Sequence, residues 1–204
     1  MNSIKLNDKE IQQFIRDGYI VIEPKLSNEF HADIFAKIEK LLDTDGNPGN
    51  NLLARMPELQ YIYDDPYVSG ALSSIMGEDY YMESHKHVHF RPPHSEGQTL
   101  HKDSFTRRRH RARWFVTFYY PQDTPTEMGP TGVVPRSQYR NVIPEESYKS
   151  ELPLSGAAGR VVIANYDLVH RGMANTTDNN RYMVKFPFNR ISEPIEPTWD
   201  HSES

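Results

Sequence analysis

Over the first third of the chain apolar residues recur at helical spacing. From Tyr80 onward they come in short aromatic and β-branched bursts separated by turn residues. Asn7 followed three residues later by Glu10 makes a capping-box pattern, and Ile11, Phe14 and Ile15 follow at helical intervals. The stretch RDGYIVI predicts a short strand at Tyr19 to Ile22 behind a glycine. Ser27 caps a longer helix whose buried stripe is Phe30, Ile34, Ile38, Leu41 and Leu42. DTDGNPGNN (43–51) reads as a loop. A third helix is predicted over 66–76, with Val68, Leu72, Ile75 and Met76 apolar.

Beyond it, YYMESHKHVHF (80–90) reads as one extended run. RWFVTFYY (113–120), TGVVPRS (131–137), GRVVIANYD (159–167) and RYMVKFPFN (181–189) complete a series of short strands. Helices first and many strands afterwards predict an α+β fold with a β-sandwich or jelly-roll core. A single domain is expected over 1–204: mainly helical support over 1–79, the jelly-roll core over 80–190, and an acidic, proline-containing tail over 191–204.

Composition removes several classes of function. With no cysteine the chain has no disulfide scaffold, thiolate metal site or cysteine nucleophile, and it suits a reducing cytosol. The polar start MNSIKLNDKEIQQF shows no signal peptide, and no apolar run approaches a membrane span, so a cytoplasmic location is expected. A net charge of −5 argues against bulk nucleic-acid binding. The charge is uneven, however: KDSFTRRRHRAR (102–113) holds six of the 23 Lys and Arg and one of the 28 acids.

The candidate chemistry lies just before that basic run. In LHKDSF (100–105), His101 and Asp103 stand two positions apart, so in an extended strand they project the same way, roughly 6.7 Å apart at Cα. Two ligands hold a divalent ion weakly. His170, at the end of an apolar strand in ANYDLVHRGMAN, supplies a third. Two histidines and one carboxylate with open positions are the facial set of non-haem Fe(II) oxygenases. Arg181, at the start of RYMVKFPF, is suited to gripping a carboxylate through paired hydrogen bonds. An open metal site with such an arginine is what a 2-oxoglutarate oxygenase requires. Arg171, next to His170, points to the opposite face of its strand and reads as a salt-bridge residue.

The chain resembles the phytanoyl-CoA hydroxylase (phytanoyl-CoA dioxygenase) family of Fe(II)/2-oxoglutarate oxygenases. FIRDGYIVIE (14–23) is similar to that family's N-terminal element, and LHKD (100–103) to its histidine-x-aspartate motif. MGPTGVVPRSQ (128–138) resembles its glycine-to-PGSH strand and turn, and GRVVIANYDLVHRGMANTTDNNR (159–181) its distal histidine and cosubstrate arginine. The resemblance implies a double-stranded β-helix (a cupin-like jelly roll) with helices packed around it. It also implies Fe(II) at His101, Asp103 and His170, 2-oxoglutarate on the iron and Arg181, and O₂ as oxidant, with release of succinate and CO₂. Because Asp103 fills the position a halogenase gives to chloride, hydroxylation is favoured over halogenation. Three features depart from the family pattern. Arg136 stands where the turn usually has glycine, and Gly172 replaces a hydroxyl residue that often gives a second cosubstrate contact. The chain is also short for the family, which implies a trimmed lid.

The substrate is expected to be a small molecule, anionic or linked to CoA or a carrier, attracted by a basic rim at 107–113; neither nucleic acid nor a membrane is expected as partner. His85, His87 and His89 share one face of their strand, as a pocket wall or a solvated face, while Lys86, Val88 and Phe90 are an equal candidate for the barrel interior. Two other classes stay open at this point: a zinc hydrolase or lyase supported by the histidine-rich strand, and a jelly-roll binding protein without catalysis.

Overall fold

The computed structural model describes residues 3–104 and 114–192. The N-terminal part follows its local signals. Helix α1 (Asp8–Asp17) is closed at its start by the reciprocal Asn7–Glu10 capping box and ends on Gly18 in the left-handed conformation, φ 84°. Strand β1 (Tyr19–Ile22) leads to α2 (Asn28–Asp45), whose first turn is capped by the Ser27 hydroxyl. Two short helices, α3 (Leu52–Arg55) and α4 (Gln60–Asp64), occupy a stretch whose pattern is too brief to announce them. Helix α5 (Pro66–Met76) has Pro66 in its first turn and the Asp65 carboxylate accepting from the Tyr67 and Val68 amides.

The strands are β2 (Tyr80–Met82), β3 (His87–Arg91), β4 (Trp114–Tyr119), β5 (Thr131–Val133), β6 (Leu152–Pro153), β7 (Val161–Asn165), β8 (His170–Gly172) and β9 (Arg181–Arg190). They form two antiparallel sheets. The larger runs β1-β7-β4-β9-β2, with β3 also paired to β9, and the smaller runs β6-β5-β8. The segment before the histidine-x-aspartate motif extends the smaller sheet: the Gln98 amide donates to the Gly172 carbonyl, and His101 bridges His170.

Strand alternation divides the apolar residues into two cores. Phe115, Tyr119, Val161, Ile163, Val184 and Phe186 of the larger sheet pack against the helices, together with Ile34, Ile38 and Leu72. Val116, Phe118, Val162, Ala164 and Met183 turn the other way, to meet Val133 of the smaller sheet. A side chain on β9 at an odd-numbered position therefore faces between the sheets. This sandwich with helices on one face is the expected double-stranded β-helix.

Three local expectations need correction. The extended run over 80–90 is interrupted, because residues 83–86 belong to neither β2 nor β3. His170 does not end the apolar strand. The chain leaves β7 at Asn165, turns, crosses to the other sheet and begins β8 with His170. Asp103 also lies in a bend rather than in a strand continuing from His101. Arg136 does take the left-handed conformation that glycine would favour, φ 66°, and its amide donates to the Asp17 carbonyl at 3.1 Å. The basic run from 107 to 113 and the tail beyond Ser192 lie outside the described residues. No helix among those described is long and apolar enough to cross a membrane.

Candidate metal and cosubstrate site

The two histidines meet because their backbones pair. His101 and His170 form an antiparallel bridge, and their rings lie 4.6 Å apart between centroids. Each ring is oriented in the same way: Nδ1 lies 2.9 Å from the carbonyl oxygen two residues earlier, Thr99 for His101 and Leu168 for His170. A carbonyl only accepts, so each Nδ1 carries the proton and each Nε2 presents a lone pair. The bend after Lys102 brings Asp103 to the same place, with Oδ2 3.6 Å from His170 Nε2. One ligand atom from each residue lies within 4.8 Å of the other two. Among the described residues this is the sole cluster of three or more such groups, so His85, His87 and His89 do not form a second one.

The charge state suits a divalent metal. His170 is buried, and burial pushes its pKa down to about 4, so the imidazole is neutral near pH 7. Burial alone would raise the Asp103 pKa. The neighbouring His170, Lys185 and His101 outweigh that and hold the carboxyl below its ordinary value. Two imidazoles whose Nδ1 atoms are taken up by carbonyls, leaving Nε2 for a ligand bond, together with one carboxylate form a donor set that fits an Fe(II) ion.

Arg181 begins β9 at an interior position and is 2 % exposed. Its Nε donates to the Gly129 carbonyl at 3.0 Å, and Nη1 reaches the His89 carbonyl only at 3.5 Å. Burial lowers its pKa to about 10, which still leaves it charged. The guanidinium thus keeps donors for a ligand, and it opens on the same pocket as His101, Asp103 and His170.

The open question about β3 has an answer: Val88 packs on the helix side, whereas His89 lines the pocket. His89 is pushed down to about 3, chiefly by burial, with Lys185 and Arg181 nearby. Phe90 reaches the pocket edge and stacks on Tyr182. Arg171 turns away as expected and makes a paired contact with Glu151, both N–O distances 2.7 Å. Gly172 also has a reason. A Cβ there would lie 2.7 Å from Arg91 Nη2, the group that donates to the Gly172 carbonyl. The sequence reading missed Lys185, whose Nζ stands 2.5 Å from Asp103 Oδ2. A signal was available, since Lys185 follows Arg181 by four positions and so shares its strand face.

Comparison with known proteins gives a family and a shared fold. The family model described as phytanoyl-CoA dioxygenase (PhyH) matches residues 6–183. No curated protein is similar enough in sequence to be matched. Among solved structures, the chain is similar to SnoK, a non-heme alpha ketoglutarate dependent carbocyclase from nogalamycin biosynthesis. The TM-score is 0.75 at 17% identity, covering 93% of this chain and 88% of that one. It is also similar to EctD from S. alaskensis with 2-oxoglutarate and 5-hydroxyectoine, TM-score 0.77 at 19% identity, covering 94% and 78%. A third is the epimerase SnoN, also non-heme and alpha ketoglutarate dependent, TM-score 0.75 at 16% identity, covering 90% and 80%.

Proposed function

Because the chain belongs to the phytanoyl-CoA dioxygenase family and is an Fe(II)- and 2-oxoglutarate-dependent oxygenase acting on a small molecule, we propose that His101, Asp103 and His170 hold the iron and Arg181 anchors the far carboxylate of 2-oxoglutarate. The proposed reaction hydroxylates a C–H bond of an anionic, or CoA- or carrier-linked, substrate, converting 2-oxoglutarate and O₂ to succinate and CO₂. Residues 1–204 are taken as one catalytic domain, and the absence of cysteine suits a reducing cytoplasm.

The observation that carries this reading is that three ligand groups and a buried guanidinium open on one pocket. The iron, when bound, supplies the O₂ chemistry that couples loss of CO₂ from the keto acid to oxidation of the substrate. The protein's own groups do the rest. Nδ1 donation to the Thr99 and Leu168 carbonyls fixes both rings, and the Asp103 carboxylate supplies the negative ligand. Arg181 orients the cosubstrate from the start of β9, and Phe118 and Met183 form an apolar wall that limits water. A carboxylate at position 103 favours hydroxylation over halide transfer. The carbocyclase and the epimerase named above share the fold, so placement of the substrate carbon decides which oxidation follows.

Anaerobic addition of Fe(II) and 2-oxoglutarate should produce the visible charge-transfer band of a bidentate complex. A metabolite panel in air, scored by succinate and a one-oxygen mass gain, then finds the substrate. Full succinate formation by Asp103→Ala or Arg181→Ala would refute the assignment.

A further inference from the structure

Lys185 is a pocket cation that iron and 2-oxoglutarate leave without a task. It faces between the sheets from β9, four residues beyond Arg181 and so roughly 13 Å along the strand, and it is buried with the pocket around it. Across the sheet it is paired in register with His87, whereas Arg181 is paired with Arg91. An ammonium has three N–H donors. Among the described residues its hydrogen-bond partner is Asp103 Oδ2, at 2.5 Å. That oxygen is also the one 3.6 Å from His170 Nε2, so it is turned toward the proposed metal position.

Asp103 can be shared between a divalent ion and the ammonium, since a carboxylate has acceptor sites for both. With Fe(II) and 2-oxoglutarate in place, however, the ion, Arg181 and Lys185 carry four positive charges against three negative ones on Asp103 and the cosubstrate. In a buried pocket that excess favours a further anion beside Lys185, whose ammonium has donors beyond the one given to Asp103. The far carboxylate of 2-oxoglutarate belongs to Arg181, four residues away at the start of the strand, and its keto acid end belongs to the metal. The remaining source is the molecule being oxidised.

We propose that Lys185 receives an anionic group of the primary substrate, a carboxylate or a group of like charge, and so holds the reacting carbon close to it. The proposal rests on the iron and 2-oxoglutarate reading above and narrows it. A free acid carries its charge within a few bonds of the carbon to be oxidised. A CoA thioester is neutral there and carries its phosphates far away. The pocket therefore selects small free acids over acyl-CoA.

The test uses the full-length protein with Fe(II) and 2-oxoglutarate under anaerobic conditions. The probes are unbranched C4 to C8 monocarboxylates and their matching amides, with calorimetry and the visible band as readouts. Wild type should bind the carboxylates at least tenfold more tightly than the amides. Lys185→Met, checked for iron content and melting temperature, should lose that preference, and Lys185→Arg should keep most of it. Equal affinity of wild type for acid and amide, including binding of neither, overturns the proposal. So does a carboxylate preference that survives in Lys185→Met. A tenfold loss of 2-oxoglutarate affinity in Lys185→Met with probe preference intact also overturns it, by assigning the lysine to the cosubstrate. If wild type forms no visible band at all, the iron reading itself falls. Should Lys185→Met fail to fold, Lys185→Gln and the wild-type comparison of acid with amide carry the same decision.

Discussion

The main chains of His101 and His170 exchange both of their hydrogen bonds, each amide nitrogen 2.9 Å from the other residue's carbonyl oxygen. In an antiparallel pair, directly opposed residues project their side chains to one face of the sheet. A single bridge therefore sets two imidazoles side by side. A slip of one residue would send one of them to the opposite face. The site is built into the register of the smaller sheet.

Removing a ligand should uncouple metal binding from folding. Metal at one hundred times its dissociation constant stabilises a protein by about 2.7 kcal/mol, on the order of 5–10 °C for a chain of this size. Anaerobic Fe(II) should raise the melting temperature of wild type by such an amount. His101→Ala should melt near metal-free wild type and show no shift with Fe(II); Asp103→Ala, which leaves the Lys185 ammonium without its carboxylate, should melt lower and likewise show no shift. A full shift in either variant would remove that residue from the metal site.

Arg181 should not tolerate a lysine. The guanidinium spends Nε on the Gly129 carbonyl and offers its remaining planar donors to the pocket, a geometry an ammonium does not reproduce. Loss of a charge-assisted bidentate pair costs about 2–3 kcal/mol. Arg181→Lys should raise the KM for 2-oxoglutarate by roughly thirty- to a hundredfold while iron content stays near wild type. Unchanged KM would refute the anchoring role.

The metal-free protein should lose stability on acidification. Burial pushes His170 down to about 4 and His89 down to about 3, against about 6.5 in an unfolded chain. Between those values and 6.5 the unfolded state binds more protons, so stability is present above pH 6.5 and falls as pH falls. Each histidine contributes up to about 1.4 kcal/mol per pH unit within its window. Melting temperatures of the metal-free protein at pH 7.5, 6 and 5 measure the slope, and His89→Gln should make it shallower. A flat profile would contradict neutral burial of both rings.

Gly172 should resist a hydroxyl side chain. A Cβ at this position would approach Arg91 Nη2 to 2.7 Å and Gln98 Oε1 to 3.0 Å. Gly172→Ser must push Arg91, the cross-strand partner of Arg181, out of place. The side-chain ends can swing aside, so the cost is that of loosening the Arg91 and Gln98 hydrogen bonds to the Gly172 backbone, about 1 kcal/mol, and 2-oxoglutarate binding should weaken with it. A serine variant with wild-type melting temperature and KM would show that Arg91 is free to move.

Arg136 offers a gain. It holds φ at 66°, where a residue with a Cβ is strained by about 1–2 kcal/mol. Its side chain is largely exposed, with Nε 3.5 Å from Asp17 Oδ1, a contact of little value. Arg136→Gly should leave the melting temperature unchanged or raise it by a few degrees. A clear loss would mean that the Asp17 contact counts for more than its exposure implies.

Much of the molecule was already written in local pattern. Helix caps, apolar spacing and turn residues act over a few positions, so α1, β1, α2 and α5 were legible one element at a time. The spacing of His101 from Asp103 and the presence of His170 and Arg181 were legible for the same reason. What no local pattern contains is pairing between distant segments. The sequence alone did not say which face of β3 lines the pocket, that His170 opens a strand of the other sheet, or that Lys185 reaches Asp103 across 82 positions. Those relationships depend on strand register and on the packing of two sheets. They are decided by burial summed over the whole fold rather than by the preferences of the residues themselves.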